Sequence, residues 1–312
     1  MNLPALIIAY SRPDGVAEIL KTLISYGIED IYISIDGPKN NHDTINQDEI
    51  VRNANEYLKG KTKIHITRQS KNLGAAAGVL AAVDWFFENE EMGIIIEDDL
   101  RFNIDFCKFA KMSLNEFKND PKVWMISGTQ HFPNHIDADQ VFWSNYPMIW
   151  GWASWADKWK KMREAILKRK EIKIKHIINK RYLFWSVGAN RALDGKVDAW
   201  DTPLAFEFLT QKKLCVLPPV NLVTNIGNDY VATNTFDKDK SLNLQIGKLP
   251  SLVNLPVKPN SKDLKEYNLL LEKNVFKIKI RHYFLPYYAF LFDSIRFPKR
   301  NRKLSLSQRL MK

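Results

Sequence analysis

Cysteine is scarce in this chain, with two residues among 312, and no secretory signal precedes the first strand-like segment. Cys107 and Cys215 are too few and too far apart for a zinc site or a disulfide framework, which excludes a small disulfide-stapled fold. We expect both to be packed thiols, Cys107 on a helix and Cys215 on a strand. This cysteine usage fits a reducing cytosol.

Long apolar runs are also missing. The densest aromatic–aliphatic run, residues 283–292, is too short to cross a bilayer, which takes about 20 apolar residues. The six histidines lack ligand spacing, so no histidine metal site is expected. The 45% apolar and 12% aromatic content suffices for the core of one large α/β domain, with or without an appendage.

The positive charge is unevenly distributed. The formal net charge is +11, and the excess lies in residues 158–181 and 276–312, which leaves the rest of the chain mildly acidic. A Lys-rich run such as 158–181 is usually a solvated helix face. The second block contains the aromatic run at 283–292, a pattern that favours an interfacial segment on an anionic membrane surface. The alternatives are packing of this tail on the protein body and nucleic-acid binding, and the lack of a recognised nucleic-acid module argues against the latter.

Strand and helix patterns alternate through the first half of the chain, which predicts a mostly parallel, doubly wound sheet flanked by helices. After residue 128 the pattern loosens into aromatic loops, followed by further helices and a strand. The predicted strands are Leu3–Ala9, Ile31–Ile35, Lys63–Thr67, Gly93–Ile96, Lys122–Ser127 and Leu214–Leu217. The predicted helices are Asp14–Tyr26, Gln47–Leu58, Ala75–Asn89, Asn103–Lys118, Ala156–Lys170 and Pro203–Lys212.

The chain is expected to have three parts. Residues 1–232 form one α/β catalytic domain, and the polar residues 233–262 form a loop or linker. Residues 263–312 form a helical, basic and aromatic C-terminal appendage that associates with a membrane.

Three consecutive carboxylates follow an isoleucine run in the first half of the chain. Ile94–Ile96 predict a strand buried on both faces, and carboxylates are rarely left inside such a core because an unpaired buried charge is costly. Glu97, Asp98 and Asp99 are therefore expected at the carboxyl end of a central strand, where open α/β sheets bind ligands. A divalent cation would relieve their mutual repulsion, which indicates a metal–diphosphate site. The alternative is an acidic turn that caps the following helix.

Three other predicted strands also end in polar groups, and parallel strands place these ends along one edge of the sheet. Arginine suits phosphate or a base carbonyl, aspartate can accept from a nucleobase N–H, and Asn–Gly lets the backbone approach a ligand closely. Each of these polar groups is common at the end of a strand, so the inference of a binding site rests on their occurrence together at successive strand ends. The groups are Arg12 after the first strand, Asp36 after the second and Asn72 after the third.

With these motifs the chain resembles the GT-A nucleotide-sugar glycosyltransferases, and in particular the family of N-acetylglucosaminyltransferase I and its bacterial relatives. The resemblance covers residues 3–228. Its specific part runs from the strand and triplet at Ile94–Leu100 to Asp120–Trp124, and the aromatic stretch Trp150–Trp155 and the pair Trp200-Asp201 follow at family-like spacing. It implies a GT-A (Rossmann-like) fold, and the tail after residue 260 lies outside it.

The resemblance also implies roles for the donor-binding residues. Asp99 would bind the Mn²⁺ or Mg²⁺ that bridges the donor diphosphate, Asp98 would face the ribose, and Glu97 would face the transferred sugar. Arg12 and Asp36 would hold the uridine of a UDP-sugar. Asn72 is expected in the same donor site.

Asp201 matches the catalytic base of the family. Inverting transfer needs one carboxylate that deprotonates the acceptor hydroxyl, and the metal-bound diphosphate leaves without a protein acid. Since Pro203 favours a helix start, Asp201 is also expected as an N-cap, and both roles can hold. The residues expected to form a wall of the donor and acceptor pocket, with aromatic core packing as the alternative, are Trp150, Gly151, Trp152 and Trp155.

The expected function is metal-dependent, inverting transfer of a sugar from a UDP-sugar to a saccharide or lipid-linked saccharide in bacterial surface polysaccharide synthesis. The protein would be cytoplasmic and peripheral on the inner face of the cell membrane. One alternative is a nucleotidyltransferase acting on sugar phosphates, although the Gly-rich phosphate loop that it would need near the N-terminus is missing. The other is a non-catalytic sugar- or membrane-binding protein on a degenerate transferase fold, against which the intact triplet and Asp201 argue.

Overall fold

The computed structural model describes residues 3–57, 62–133, 139–168, 180–227, 244–255, 258–276, 278 and 306. The strands are β1 (Ala5–Ala9), β2 (Asp30–Ile35), β3 (Lys63–Arg68), β4 (Met92–Glu97), β5 (Leu100–Phe102), β6 (Val123–Ser127), β7 (Phe142–Ser144), β8 (Trp152–Trp155), β9 (Leu214–Leu217) and β10 (Val223–Asn225). The helices are α1 (Pro13–Tyr26), α2 (Asn41–Glu56), α3 (Ala75–Asn89), α4 (Ile104–Glu116), α5 (Ala156–Leu167), α6 (Lys180–Leu193), α7 (Asp201–Thr210) and α8 (Ser261–Leu270), which continues into a π-helical turn at Leu271–Val275.

Eight strands form one sheet in the order β3-β2-β1-β4-β8-β6-β9-β7. Parallel pairing joins β3, β2, β1 and β4, so that Ile7 aligns with Ile33 on one side and with Ile96 on the other. β8 runs antiparallel between β4 and β6, and β7 runs antiparallel to β9 at the edge. The predicted α/β class, a mostly parallel sheet flanked by helices, is confirmed.

Two apolar layers cover the faces of this sheet. Because successive side chains of a strand point to opposite faces, Ile7 joins the buried cluster under α1, α2 and α4, whereas Leu6 joins the one under α3, α5 and α7. Each fully buried aliphatic side chain contributes about 1.5–3 kcal/mol relative to exposure, so both layers oppose a slip of register. The fixed register places the strand ends of the first half along one edge.

The aromatic stretches after residue 128 are strands rather than the loops that their composition predicts. Every residue of β7 and β8 is buried, and β8 completes its hydrogen bonding with two partners distant in sequence. Such short, fully buried strands lack the alternation of polar and apolar residues that marks a half-exposed strand. The two-stranded ribbon of β5 and β10 was likewise not predicted.

Helix α2 begins at Asn41, six positions before the predicted start at Gln47. The side chain of Asn40 accepts a hydrogen bond from the backbone N–H of Asp43 at 2.9 Å, which is an N-cap. The polar sequence between these residues and Gln47 therefore belongs to the first turns of the helix.

Helix α8 packs against β7 and is anchored by polar contacts. Tyr267 is 2% exposed and donates its hydroxyl hydrogen to Gln130 Oε1, with 2.5 Å between the oxygens. Asn268 Nδ2 donates to Asn145 Oδ1 at 3.0 Å. Leu306 is fully buried in the same apolar layer as α3 and α5. Parts of the C-terminal region therefore belong to the folded domain.

Most of the predicted membrane-associating segment lies outside the described residues, including the whole run at 283–292. So do residues 228–243, which include the start of the predicted linker at 233–262, and residues 169–179 of the first basic block. In the part of the chain that is described, no helix combines the length and the apolarity that a bilayer span requires.

Candidate functional site

A cavity of about 470 Å³ opens along the edge where β1, β2 and β4 end. The segments that follow β1 and β2, the N-terminus of α3 and the acidic triplet line it. Six residues predicted from separate strand ends are brought together here: Arg12, Asp36, Asn72, Glu97, Asp98 and Asp99.

Asp98 is 4% exposed and both of its carboxylate oxygens are used within the protein. Oδ1 lies 2.7 Å from Arg12 Nη1, and Oδ2 accepts from the backbone N–H of Tyr10 at 2.7 Å. Burial raises the pKa of Asp98, and the positive charge of Arg12 opposes that rise. The contacts bind the segment after β1 to the triplet and hold the Arg12 guanidinium at the cavity.

Glu97 and Asp99 form no ion pair with a basic side chain among the described residues, in contrast to Asp98. Burial raises the pKa of Glu97 from 4.5 to about 8, and the charges of Asp99, Asp98 and Asp201 add to the shift. Burial and the charge of Asp98 also raise the pKa of Asp99. Removing these carboxylates from water disfavours their ionised forms, so this end of the cavity favours a bound cation.

The environment of Asp99 fits a hard divalent cation. Its Oδ1 atom is buried and accepts no hydrogen bond, which is costly for a carboxylate unless a cation occupies that position. Among the described residues, no group of three or more His, Cys, Asp or Glu side chains could hold a metal ion by itself. Mg²⁺ and similar ions are often bound by one or two carboxylates together with substrate phosphates and water, and this arrangement suits them.

The ribbon of β5 and β10 brings a distant segment over Asp99. The backbone N–H of Ile226 donates to the Asp99 carbonyl at 2.9 Å. A Cβ atom on Gly227 would overlap Asp99 Oδ2, so only glycine leaves that oxygen its space. Gly227 also lines the cavity. The antiparallel pairing that places this segment at Asp99 joins strands that are distant in sequence, so no local sequence pattern predicts it.

Asp36 holds the loop between β3 and α3. Oδ1 accepts from the backbone N–H groups of Gly37 and Leu73, both at 2.8 Å. Oδ2 accepts from Asn72 Nδ2 at 3.0 Å and from the Gly74 N–H at 3.2 Å. Two carboxylate oxygens have about four acceptor positions, and these four bonds fill them. The predicted contact of Asp36 with a nucleobase would have to displace one of these bonds.

Sequence reasoning missed Lys39 and Asp43, which also line the cavity. Asp43 is 7% exposed, and its Oδ2 accepts from the Tyr10 hydroxyl at 2.6 Å and from the Lys39 N–H at 3.0 Å. The Lys39 ammonium lies 5.0 Å from the centre of the Tyr10 ring. The sequence signal that could have identified Asp43 is Asn40, a residue type that favours the N-cap position. An N-cap at Asn40 places Asp43 in the first turn of α2, beside the end of β1.

None of the four residues expected to form a wall of the pocket, Trp150, Gly151, Trp152 and Trp155, lines the cavity. Trp150 is partly exposed, and Gly151 adopts a positive φ of 59° just before β8. Trp152 and Trp155 are 1% and 2% exposed, so the structure places them in the core and not along the cavity. Trp152 packs against Trp159 and Trp200 with ring centres 6.0 and 5.9 Å apart.

Asp201 is the first residue of α7 and lies near the triplet without lining the cavity. Its negative charge contributes to the raised pKa of Glu97, which indicates that the two carboxylates lie near each other. The Asp201 carboxylate accepts hydrogen bonds from the backbone N–H and hydroxyl of Thr202, and burial raises its pKa. The prediction that Asp201 is the N-cap is wrong, because the helix begins at Asp201 itself and its cap position is Trp200, which makes no side-chain capping bond.

Comparisons with known proteins find similarity at the level of structure. No protein-family model matches the sequence, and no curated protein matches it. HddC from Yersinia pseudotuberculosis aligns with 45% of this chain at 14% identity and a TM-score of 0.29, and the match spans 59% of HddC, less than two thirds of its length. The mannosyltransferase PcManGT from Pyrobaculum calidifontis, solved with GDP-Man and Mn²⁺, aligns with 67% of this chain and 74% of its own at 12% identity and a TM-score of 0.38. Similarities this distant assign neither a substrate nor an activity to this chain.

Proposed function

We propose that this protein is a metal-dependent glycosyltransferase that moves a sugar, with inversion, from a UDP-sugar to a saccharide or lipid-linked saccharide. The observation that carries the proposal is the buried, unpaired Asp99 Oδ1 in a polar cavity that Arg12 and the loops after β1 and β2 also line. A nucleoside diphosphate-sugar could bind in such a cavity with its diphosphate near Asp99, where a divalent cation would offset the negative charges of both.

The residues of the chain have separate tasks in this proposal. A divalent cation at Asp99 would neutralise the charge that develops on the departing diphosphate. Arg12, fixed by Asp98, binds the nucleotide end, and Glu97 orients the transferred sugar through hydrogen bonds to its hydroxyls. Trp150, partly exposed at the edge, offers an apolar face to a sugar ring.

Asp201 is proposed as the catalytic base. The acceptor oxygen attacks the anomeric carbon opposite the diphosphate, the bond to the diphosphate oxygen breaks with its electron pair, and the acceptor proton passes to the Asp201 carboxylate. A carboxylate whose pKa burial has raised is a stronger base than one in water, which suits this step near neutral pH. The setting of bacterial surface polysaccharide synthesis at the inner face of the membrane is part of the same proposal.

A donor screen tests the proposed function. The full chain is incubated with UDP-, GDP- and dTDP-sugars in the presence of Mn²⁺, Mg²⁺ or EDTA, and the products are followed by NMR. Slow hydrolysis to nucleoside diphosphate and a free sugar of inverted anomeric configuration, present with Mn²⁺ and lost with EDTA, is expected. In a parallel incubation with nucleoside triphosphates and sugar phosphates, release of pyrophosphate would instead identify a nucleotidyltransferase. No binding or turnover of any nucleotide sugar with either metal would reject the enzyme.

A further inference from the structure

A contact between two distant segments ties the region of Asp201 to the wall of the cavity. Asp198 lies in the connection between α6 and α7, three residues before Asp201. Its carboxylate accepts from the backbone N–H groups of Ala75 at 3.1 Å and Ala76 at 3.2 Å, which begin α3. Gly74 and Ala75 line the cavity. The Asp198 carboxylate thus connects the segment that contains Asp201 to helix α3, whose N-terminus lines the cavity.

The local sequence of α3 provides no side-chain cap for the start of the helix. The cap position is Gly74, with a φ of 82°, and it supplies no side-chain hydrogen bond to the first turn. The first N–H groups of a helix have no partners within the helix, and its dipole favours a negative charge there. Asp198 supplies from more than a hundred residues away the cap that the neighbouring sequence lacks.

A second contact holds the connection between α6 and α7 on the C-terminal side of Asp198. Trp200 is 5% exposed and packs against Trp152 and Trp159, with ring centres 5.9 and 6.3 Å apart. Val197, in contrast, is 43% exposed. Because Val197 is exposed, burial of that residue does not force Asp198 into contact with α3. Asp198 and Trp200 together fix the backbone that leads into Asp201.

We propose that Asp198 is a positioning residue that ties the segment 198–201 to the N-terminus of α3 and thereby fixes the position of the Asp201 carboxylate near the acidic triplet. The inference rests on the proposed function, in which Asp201 is the base. A base displaced by about 1 Å can lose on the order of a hundredfold in rate without any change in the donor-binding groups themselves. Loss of the contact between Asp198 and α3 is therefore expected to lower kcat and to leave the affinity for the donor unchanged.

Kinetics of Asp198→Ala and Asp198→Asn test the proposal with Mn²⁺ and the best donor of the screen. In the alanine variant kcat is expected to fall about 10- to 100-fold while the donor KM stays within about threefold. Asparagine keeps one acceptor oxygen and is expected to restore part of the rate. Asp157→Ala is the matched control, because it removes an exposed acid from the first turn of α5 and is expected to change neither constant. A kcat within about twofold of wild type in folded Asp198→Ala, or a loss confined to KM, would overturn the assignment.

Hydrogen exchange separates a failure of this inference from a failure of the proposed function. Amides of residues 194–203 and of the first turn of α3 are compared in the wild-type protein and the Asp198 variants without substrate. Faster exchange in both segments of a variant supports the tie, and exchange equal to wild type in both rejects it, whether or not the protein turns over a nucleotide sugar. If Asp198→Ala does not fold, the kinetics and the hydrogen exchange are measured on Asp198→Asn.

Discussion

The three carboxylates of the triplet have unequal surroundings. Asp98 is neutralised by Arg12 and a backbone N–H, whereas Asp99 has a buried oxygen without a partner and Glu97 is the group whose pKa is raised to about 8. A sequence of three adjacent acids does not distinguish them, because the difference comes from Tyr10, Arg12 and Asp201. The cation that the site favours would interact most strongly with Asp99.

Replacement of Glu97 by glutamine is expected to stabilise the metal-free protein at alkaline pH. Folded Glu97 keeps its proton up to about pH 8 and unfolded Glu97 loses it near 4.5, so wild-type stability falls as pH rises between these values. Glu97→Gln removes this loss. We expect the melting temperature of the variant to exceed that of wild type by at least a few degrees at pH 8.5, and this difference to become small near pH 4.5.

Thermal unfolding in EDTA at pH 4.5, 6.5 and 8.5 measures this effect. Glu116→Gln, at the exposed end of α4, is the control and is expected to follow wild type at every pH. A Glu97→Gln protein that melts with wild type at pH 8.5 would show that Glu97 ionises in the folded protein without penalty.

At the scale of elements, the site depends on loops that are held by single side chains. Asp36 fixes the turn from β3 into α3 through three hydrogen bonds, two of them from the backbone N–H groups of Leu73 and Gly74. Its position after β2 predicted a polar group at the sheet edge. The loop that it holds lies some 36 residues further on, and no local pattern links the two.

Asp36→Asn is expected to lower stability by about 1–3 kcal/mol, because an amide nitrogen cannot accept from the Gly74 N–H and Asn72 Nδ2. Asp48→Asn is the control. It removes a carboxylate that is 60% exposed and paired with Arg68 at 2.6 Å, and such surface pairs contribute about 0–1 kcal/mol. Denaturant unfolding compares the two variants. Equal stability would mean that the bonds to Asp36 contribute no more than a surface ion pair.

The elements of the parallel half were predictable, and the antiparallel ones were not. The isoleucine run of β4 and its acidic end follow from burial and charge alone, and the helices between β1 and β4 follow from periodicity. β8 was missed because Trp152–Trp155 is buried throughout and its partners β4 and β6 are distant in sequence. The ribbon of β5 and β10, which brings Gly227 to Asp99, was missed for the same reason.

At the scale of the whole molecule, the C-terminal region combines a folded part with the predicted membrane segment. Helix α8 and Leu306 are integrated into the domain, whereas the aromatic run at 283–292 lies outside the described residues. The contacts of α8 with β7 could not be predicted, because the amphipathic pattern of a ten-residue helix does not reveal which surface it covers.

Deletion of residues 279–312 is expected to abolish binding to anionic liposomes. Wild type should float with vesicles containing phosphatidylserine at low salt and be released at high salt, because basic residues near the surface are attracted within about 10 Å at 0.1 M salt. Leu306→Ala is the control. It should lower the melting temperature through a cavity costing about 2–5 kcal/mol, but should still float. Equal flotation of wild type and the deletion variant would reject the membrane assignment.

The most direct test of the central claim is calorimetric titration of UDP-sugar into wild type and Asp99→Asn, with Mn²⁺ and with EDTA. The account predicts binding by wild type that requires Mn²⁺, and a loss of at least about tenfold in affinity in Asp99→Asn, whose amide is a poor replacement for a metal-bound carboxylate. Metal-independent binding of equal affinity in both proteins would contradict the account.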